Sequence, residues 1–366
     1  MKRIAVLTWF NRGRNYGQTL QAFALNETIR GLGCRCELLS YGRNGPRLQE
    51  DEINELSGEK RDLQIKFARF IRAHMDYSPR LKSREEVERY LQEQGFDAVV
   101  CGSDQIWNLA LTSFEPVYML DFPLACPKIS YAAGMMDRTL YTALERHPEV
   151  PALLEDFAAV SVRENAAREM VREVTRGKVD PEVVLDPTLL LTKAHWLQAV
   201  EVPPGEGERY LFCYMFQINR EQKRMIAELS RRFGCGTVVF LDPLKEEQPD
   251  IPGVSVRCVR NPSVEQFLSL IAHAEAVVTD SFHGVAFSLI FEREFFALEC
   301  AVCAPERNTD RIATLLETAG LTQRLIRTGE EDGALAAAPV DYARTGQRLA
   351  AQREQSLAWL RRAIEE

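Results

Sequence analysis

The stretch Val277–Ala286, VVTDSFHGVA, decides how the chain is read: an apolar run suited to a buried strand, a polar turn at Asp280–Ser281 and a helix start follow one another directly. Strands that feed helices through short polar turns build parallel α/β sheets, and the same rhythm continues outward in both directions. Upstream, strands are predicted at residues 3–8, 36–41, 97–101, 128–132, 158–162 and 210–215, and in the same half as the quoted stretch at 237–241, 276–279 and 294–298. Apolar positions at helical spacing predict helices at 18–30, 61–74, 84–94, 220–232, 263–273 and 282–291. The fold class is α/β, with doubly wound sheets carrying helices on both faces.

A chain of 366 residues exceeds what one such sheet needs, so two domains are expected. Val202-Pro203-Pro204-Gly205-Glu206-Gly207 has the composition of a linker, which puts an N-terminal Rossmann-like domain at 1–200 and a second at 201–340. Residues 341–366 carry Leu349, Leu357, Leu360 and Ile364 at helical spacing, as in an amphipathic helix docked on one domain. The polar stretch from Gly42 to Gly58 reads as an exposed loop or lid.

Composition narrows the function. Hydrophobic residues at 46% and charged residues at 27% exclude a largely disordered chain. The 45 Lys and Arg against 53 Asp and Glu leave a net charge of −8, which argues against a duplex nucleic-acid binder. No apolar run approaches the roughly 20 residues of a spanning helix, and the start reads as a first strand, with no small-residue cleavage site. Nine cysteines, mostly inside apolar segments, read as reduced core thiols of a cytoplasmic protein. Cys300 and Cys303 have metal-like spacing but lack a second pair, and no metal is expected.

Ligands of open α/β sheets bind beyond the carboxyl ends of the strands. Four such ends carry polar residues a core has no use for: Asn15-Tyr16-Gly17, Gly102-Ser103-Asp104-Gln105, Arg163-Glu164-Asn165 and Asp280-Ser281-Phe282-His283-Gly284. In the last, an anion can sit on free amides of a helix start beside His283, a side chain suited to proton transfer near neutral pH. The plainer alternative is that Asp280 or Ser281 only caps the helix. Arg163, directly after an apolar strand, is placed to fork onto phosphate or carboxylate, or else to pair with Glu164 or another helix-start acid. Gly102–Gln105 suits a hydroxyl-rich ligand, and Asn15–Gly17 also fits a plain turn. His74, His147, His195 and His273 read as surface or structural residues.

The segments NYGQTLQAFAL (Asn15–Leu25), CGSDQIWN (Cys101–Asn108), SVREN (Ser161–Asn165) followed by VLDPTLLL (Val184–Leu191), and TDSFHGVAFSLIF (Thr279–Phe291) resemble, in this order, the polysaccharide pyruvyl transferase family. The resemblance implies a fold similar to B-type glycosyltransferases, with two Rossmann-like domains facing a cleft, the first on the acceptor side and the second on the donor side. It implies transfer of the enolpyruvyl part of phosphoenolpyruvate to a saccharide or lipid-linked saccharide as a ketal, in cell-surface polysaccharide assembly. By the same resemblance His283 is the principal catalytic residue and Arg163 a phosphoenolpyruvate ligand. Asn15, Tyr16, Gly17, Gly102, Ser103, Asp104, Gln105, Asp280 and Ser281 are expected substrate-binding residues. Some relatives carry a further basic residue where this chain has Ala301-Val302-Cys303, and Arg311, ahead of Arg307, is the expected substitute because 308–316 reads as a helix. No cofactor is expected beyond the donor substrate, and any membrane association is expected to run through a lipid-linked acceptor. The alternatives are a nucleotide-sugar-dependent glycosyltransferase of the same architecture and a non-catalytic saccharide-binding protein.

Overall fold

The structure is a computed structural model that describes residues 1–10, 15–42, 53, 56–108, 115–135, 144, 147–203, 205, 207–241, 249–299 and 309–366. Cys300, Cys303, Arg307 and most of the polar stretch 42–58 lie outside the described residues. The chain divides into two compact units, one formed by 1–191 together with 352–366 and the other by 192–351.

The first unit holds β1 (Arg3–Leu7), β2 (Arg35–Leu38), β3 (Ala98–Cys101), β4 (Lys128–Ala133), β5 (Ala159–Val162) and β6 (Glu182–Val183) in the order β2-β1-β3-β4-β5-β6. The second holds β7 (Tyr210–Tyr214), β8 (Thr237–Leu241), β9 (Ser255–Val259), β10 (Ala276–Thr279), β11 (Glu294–Leu298) and β12 (Leu325–Ile326) in the order β12-β11-β10-β7-β8-β9. Every pairing is parallel. Parallel strands are covered on both faces, which is why AVVC of β3 and AVVT of β10 are apolar without alternation and wholly buried. In both units the chain winds outward from a central strand and then crosses to its other side. The direction reverses between β1 and β3 in the first unit and between β7 and β10 in the second. At such a switch point the loops diverge and leave a crevice at the carboxyl ends.

Caps set the helix starts. The Asn15 side chain accepts from Gln18 N ahead of helix Tyr16–Gly31, and Ser83 does the same for Arg84–Gln94. Asn219 with Gln222 and Ser263 with Gln266 form reciprocal capping boxes on Arg220–Arg232 and Val264–Ala272. Three strands escaped the sequence pattern. β6 and β12 have two residues each, and β9 is a half-buried edge strand in which Arg257 breaks the apolar run. The last helix spans Tyr342–Glu365, and its final turns belong to the first unit. There Ser356 Oγ accepts from Leu185 N at 3.0 Å, Arg353 Nε donates to Leu189 O at 2.7 Å, and Lys2 Nζ donates to Ile364 O at 2.6 Å.

One glycine governs how the β3 end is shaped. Gly102 has φ +123°, and a Cβ there would lie 2.1 Å from the Tyr131 carbonyl oxygen on neighbouring β4. Both the backbone conformation and the space therefore require glycine. Gly102→Ala is expected to lower stability by about 3 kcal/mol through overpacking and backbone strain, read as a lower urea midpoint at unchanged slope.

Candidate functional site

The first unit's switch-point crevice is held together by one amide. Gln21 Nε2 donates to Thr8 Oγ1 at 3.0 Å, Trp9 O at 2.8 Å and Gln18 O at 3.0 Å, while its Oε1 accepts from Ser103 N at 3.3 Å. Thr8 Oγ1 in turn donates to Ser103 O at 2.9 Å. The loop after β1, the first helix and the Gly102–Gln105 turn are thus one hydrogen-bonded body. Asn15 spends its side chain on the helix cap, Tyr16 packs its ring 5.0 Å from that of Phe67, and Gly17 is buried behind them.

Next to that turn lies a buried ionic cluster. Arg163 Nη1 donates to Asp186 Oδ2 at 2.7 Å, Nε lies 3.4 Å from Glu164 Oε1, and Nη2 lies 3.6 Å from Asp104 Oδ1. Burial alone would lower the guanidinium pKa, but Glu164, Asp186 and Asp104 together carry it above its ordinary value. Asp186, fully buried, also accepts from Thr188 N at 3.0 Å, Thr188 Oγ1 at 2.7 Å and Ser103 Oγ at 3.3 Å. Arg163 thus meets the acid pairing that its sequence neighbours offered, and the strongest of its partners is one the sequence reading did not single out. Only the VLDP segment, ending the run toward Asp186 and Pro187, marked the place.

The second unit's crevice opens between β7 and β10. Thr279 Oγ1 donates to Tyr214 O at 2.6 Å and accepts from Ser281 N at 3.0 Å. Asp280, 3% exposed, accepts from Phe216 N at 3.1 Å through both carboxylate oxygens. Burial pushes its carboxyl up to about 7, against the Phe216 amide, its own amide and the charge of Arg311, which all pull it down. The Tyr214 phenol, hydrogen-bonded to the Ser281 side chain, is pushed up to about 12 by burial and by the nearby Asp280. His283 lies in the first turn of helix Phe282–Phe291, 8% exposed, with its ring edge-on to Phe282 at 5.2 Å. Arg311 sits half-buried with its guanidinium carbon 6.0 Å from the Phe282 ring centre. The glycine of SFHG allows this helix to approach: a Cβ on Gly284 would lie 2.2 Å from Thr279 Oγ1, inside the bridge that joins the two strand ends.

The expected site residues therefore fall into two groups, each within its own unit. Asn15, Tyr16, Gly17, Gly102, Ser103, Asp104, Gln105 and Arg163 gather at the first crevice, and Asp280, Ser281, His283 and Arg311 at the second. Thr8, Gln18, Gln21, Asp186, Tyr214, Phe216 and Thr279 join them; Gln18, Gln21, Asp186 and Thr279 lie in the segments that carry the family resemblance but were not singled out individually. The other histidines lie elsewhere: His74 packs on Phe23 and Phe70, His147 meets Glu149, and His273 bonds Ser269. Among the described residues no group of three or more His, Cys, Asp or Glu side chains is placed to hold a metal ion.

Two outcomes follow from the charges. Asp186→Asn removes the closest countercharge of a buried arginine and is expected to cost about 3 kcal/mol, measured by urea denaturation. The raised Asp280 carboxyl holds its proton in the folded state between pH of about 4 and about 7, where the unfolded chain has released it. Stability from this group is present below that window and lost as pH rises through it. Melting curves from pH 4 to 8 should therefore show the stability of the wild type relative to Asp280→Asn falling as pH rises, with Phe216 N still served by the amide oxygen.

The fold has counterparts among known proteins. The sequence model of the family described as polysaccharide pyruvyl transferase matches residues 15–301, which contain the first helix, the Gly102 turn, the Arg163 cluster and the His283 turn. No curated protein sequence matches the chain. In three dimensions it is similar to UDP-GlcNAc 2-epimerases of Methanocaldococcus jannaschii (TM-score 0.55, 11% identity, 93% of each chain covered) and Neisseria meningitidis (0.54, 9%, covering 97% of this chain and 94% of that one). That of Rickettsia bellii is similar over 100% of this chain and 97% of its own, with a TM-score of 0.53 at 10% identity. At such identities the likeness speaks for the fold alone, two Rossmann-like doubly wound units of the type found in B-type glycosyltransferases. With its family's sequence pattern running through both crevices, the chain is a transferase and belongs to the polysaccharide pyruvyl transferase family.

Proposed function

We propose that the protein transfers the pyruvyl group of phosphoenolpyruvate to two hydroxyls of a saccharide or lipid-linked saccharide, forming a pyruvate ketal. What carries this reading is that the family match runs through the His283 turn, and that this turn ends the strand at the second unit's switch point. In the reaction the methylene carbon of the donor takes a proton, which makes the adjacent carbon electrophilic. One hydroxyl oxygen bonds to that carbon and gives up its proton. The second hydroxyl bonds there as the carbon–oxygen bond to phosphate breaks, and inorganic phosphate leaves with the remaining proton. His283 is the group assigned to move a proton in these steps, because an imidazole ring nitrogen can both take up and release a proton. Asp280, with a carboxyl near 7 at the same strand end, is the second proton carrier available there.

The donor is a dense anion, and the second crevice offers the start of a ten-residue helix with Arg311 nearby. Arg163 takes a different part from direct donor contact. Its fork is engaged by Asp186, Glu164 and Asp104, so its role is to fix the Ser103–Asp104 turn on the acceptor side. Donor affinity should accordingly respond to Arg311→Ala more than to Arg163→Lys.

The test is a thermal-shift series with phosphoenolpyruvate and with UDP-sugars, followed by phosphate-release kinetics on wild type and His283→Ala. A ligand at 100 times its Kd stabilises by about 2.7 kcal/mol, enough to see. A shift with phosphoenolpyruvate is expected, together with a loss in kcat of about 10² to 10⁴ in His283→Ala at unchanged melting temperature. A shift with UDP-sugars only would replace this reading with nucleotide-sugar-dependent glycosyl transfer.

A further inference from the structure

We infer that Gln18 and Gln105 form a clamp for one saccharide hydroxyl at the first unit's switch point, Gln18 Oε1 accepting its proton and Gln105 Nε2 donating to its oxygen. Both side chains are buried, at 8% and 5% exposure, and each of these two atoms lacks a hydrogen-bond partner within the protein. A buried amide atom left unmatched costs stability, and such costs are kept where a ligand repays them.

The two residues come from segments tied to each other. Gln18 is fixed through its backbone, its N–H donating to Asn15 Oδ1 at 3.2 Å and its carbonyl accepting from Gln21 Nε2 at 3.0 Å. The Oε1 of that same Gln21 accepts from Ser103 N, two residues before Gln105. The Gln18 backbone and the turn bearing Gln105 are therefore joined through one side-chain amide, at the strand ends where parallel sheets take ligands. The orientation of Gln105 is set as well: Asn108 Nδ2 donates to its Oε1 at 3.2 Å, which leaves Nε2 as the atom to be matched.

One open acceptor and one open donor define the chemistry. A hydroxyl both gives and takes a hydrogen bond, whereas carbonyl and phosphate oxygens only accept and an ammonium only donates. The pair thus selects a neutral hydroxyl, and the nearby guanidinium of Arg163 is already engaged by Asp104, Glu164 and Asp186. The inference rests on the acceptor being a saccharide, and it adds Gln18 to the residues that choose it.

The test uses saturation-transfer NMR of the full chain with a fixed panel of glucose, galactose, mannose and N-acetylglucosamine. Wild type should transfer to at least one sugar. Gln105→Glu, which keeps the size but exchanges the donor for an acceptor, should weaken that signal at least fivefold. Gln18→Glu, which keeps the acceptor, should retain it. Gln18→Met should lose it while melting no lower than wild type, since an unmatched amide is replaced by an apolar chain of similar shape. Equal behaviour of the two glutamate variants, a clearly lowered melting temperature in Gln18→Met with binding intact, or no transfer from any sugar to wild type would each overturn the clamp. Phosphoenolpyruvate shifts measured on the same variants separate the two readings: a lost donor shift in wild type with a glutamine-dependent sugar signal sinks the pyruvyl reading and keeps the clamp.

Discussion

The fully buried carboxylate of Asp186 is the point on which the first unit's ligand end depends. It receives Arg163 from the end of β5, Ser103 from the end of β3 and Thr188 from its own loop, so three separate chain segments share one anion. Removing a charge from water is expensive and is offset only when its hydrogen-bonding capacity is filled, which four donors accomplish here. The direction of dependence is clear. The strands pair without this anion, while the ends of β3 and β5 and the Thr188 loop meet on it.

The two crevices meet the same topological demand with opposite electrostatics. In the first, charge is abundant, with Arg163 gathered among Asp104, Glu164 and Asp186, and Gln18 Oε1 and Gln105 Nε2 are buried amide atoms without a partner in the protein. In the second, charge is sparse: the Phe216 amide and its own amide serve Asp280, and burial outweighs them to raise its proton affinity. A saturated, rigid polar surface suits recognition of neutral groups. A lightly solvated acid beside a histidine suits proton traffic. One duplicated architecture thus carries two different electrostatic environments at its strand ends through loop residues alone.

Much of this was legible in the sequence because buried parallel strands and capped helices write strong local patterns. β8, β10 and β11 and the helices Arg84–Gln94, Arg220–Arg232 and Phe282–Phe291 matched their expected bounds, each being an apolar run or an amphipathic period closed by turn residues. Short and half-exposed strands were not legible, since two residues of β6 carry no period and Arg257 interrupts that of β9. The candidate site divides likewise. His283, Asp280 and the Gly102 turn stood out as polar residues placed after apolar runs. Asp186 did not, because its weight comes from partners 23 and 83 positions away. Nor did Gln18, whose importance lies in an atom that bonds to nothing in the protein.

The last helix also bears on how the molecule is made. Leu185 N and Leu189 O, next to Asp186, find their partners in Ser356 and Arg353, and Lys2 reaches the carbonyl of Ile364. A ribosome delivers those partners after the whole of 192–351, so the first unit to emerge is the last to be completed. Until then Leu185 N, Leu189 O and Lys2 lack these partners, while the second unit has all its own strands. Residues made after the second unit thus act as a latch on the first unit.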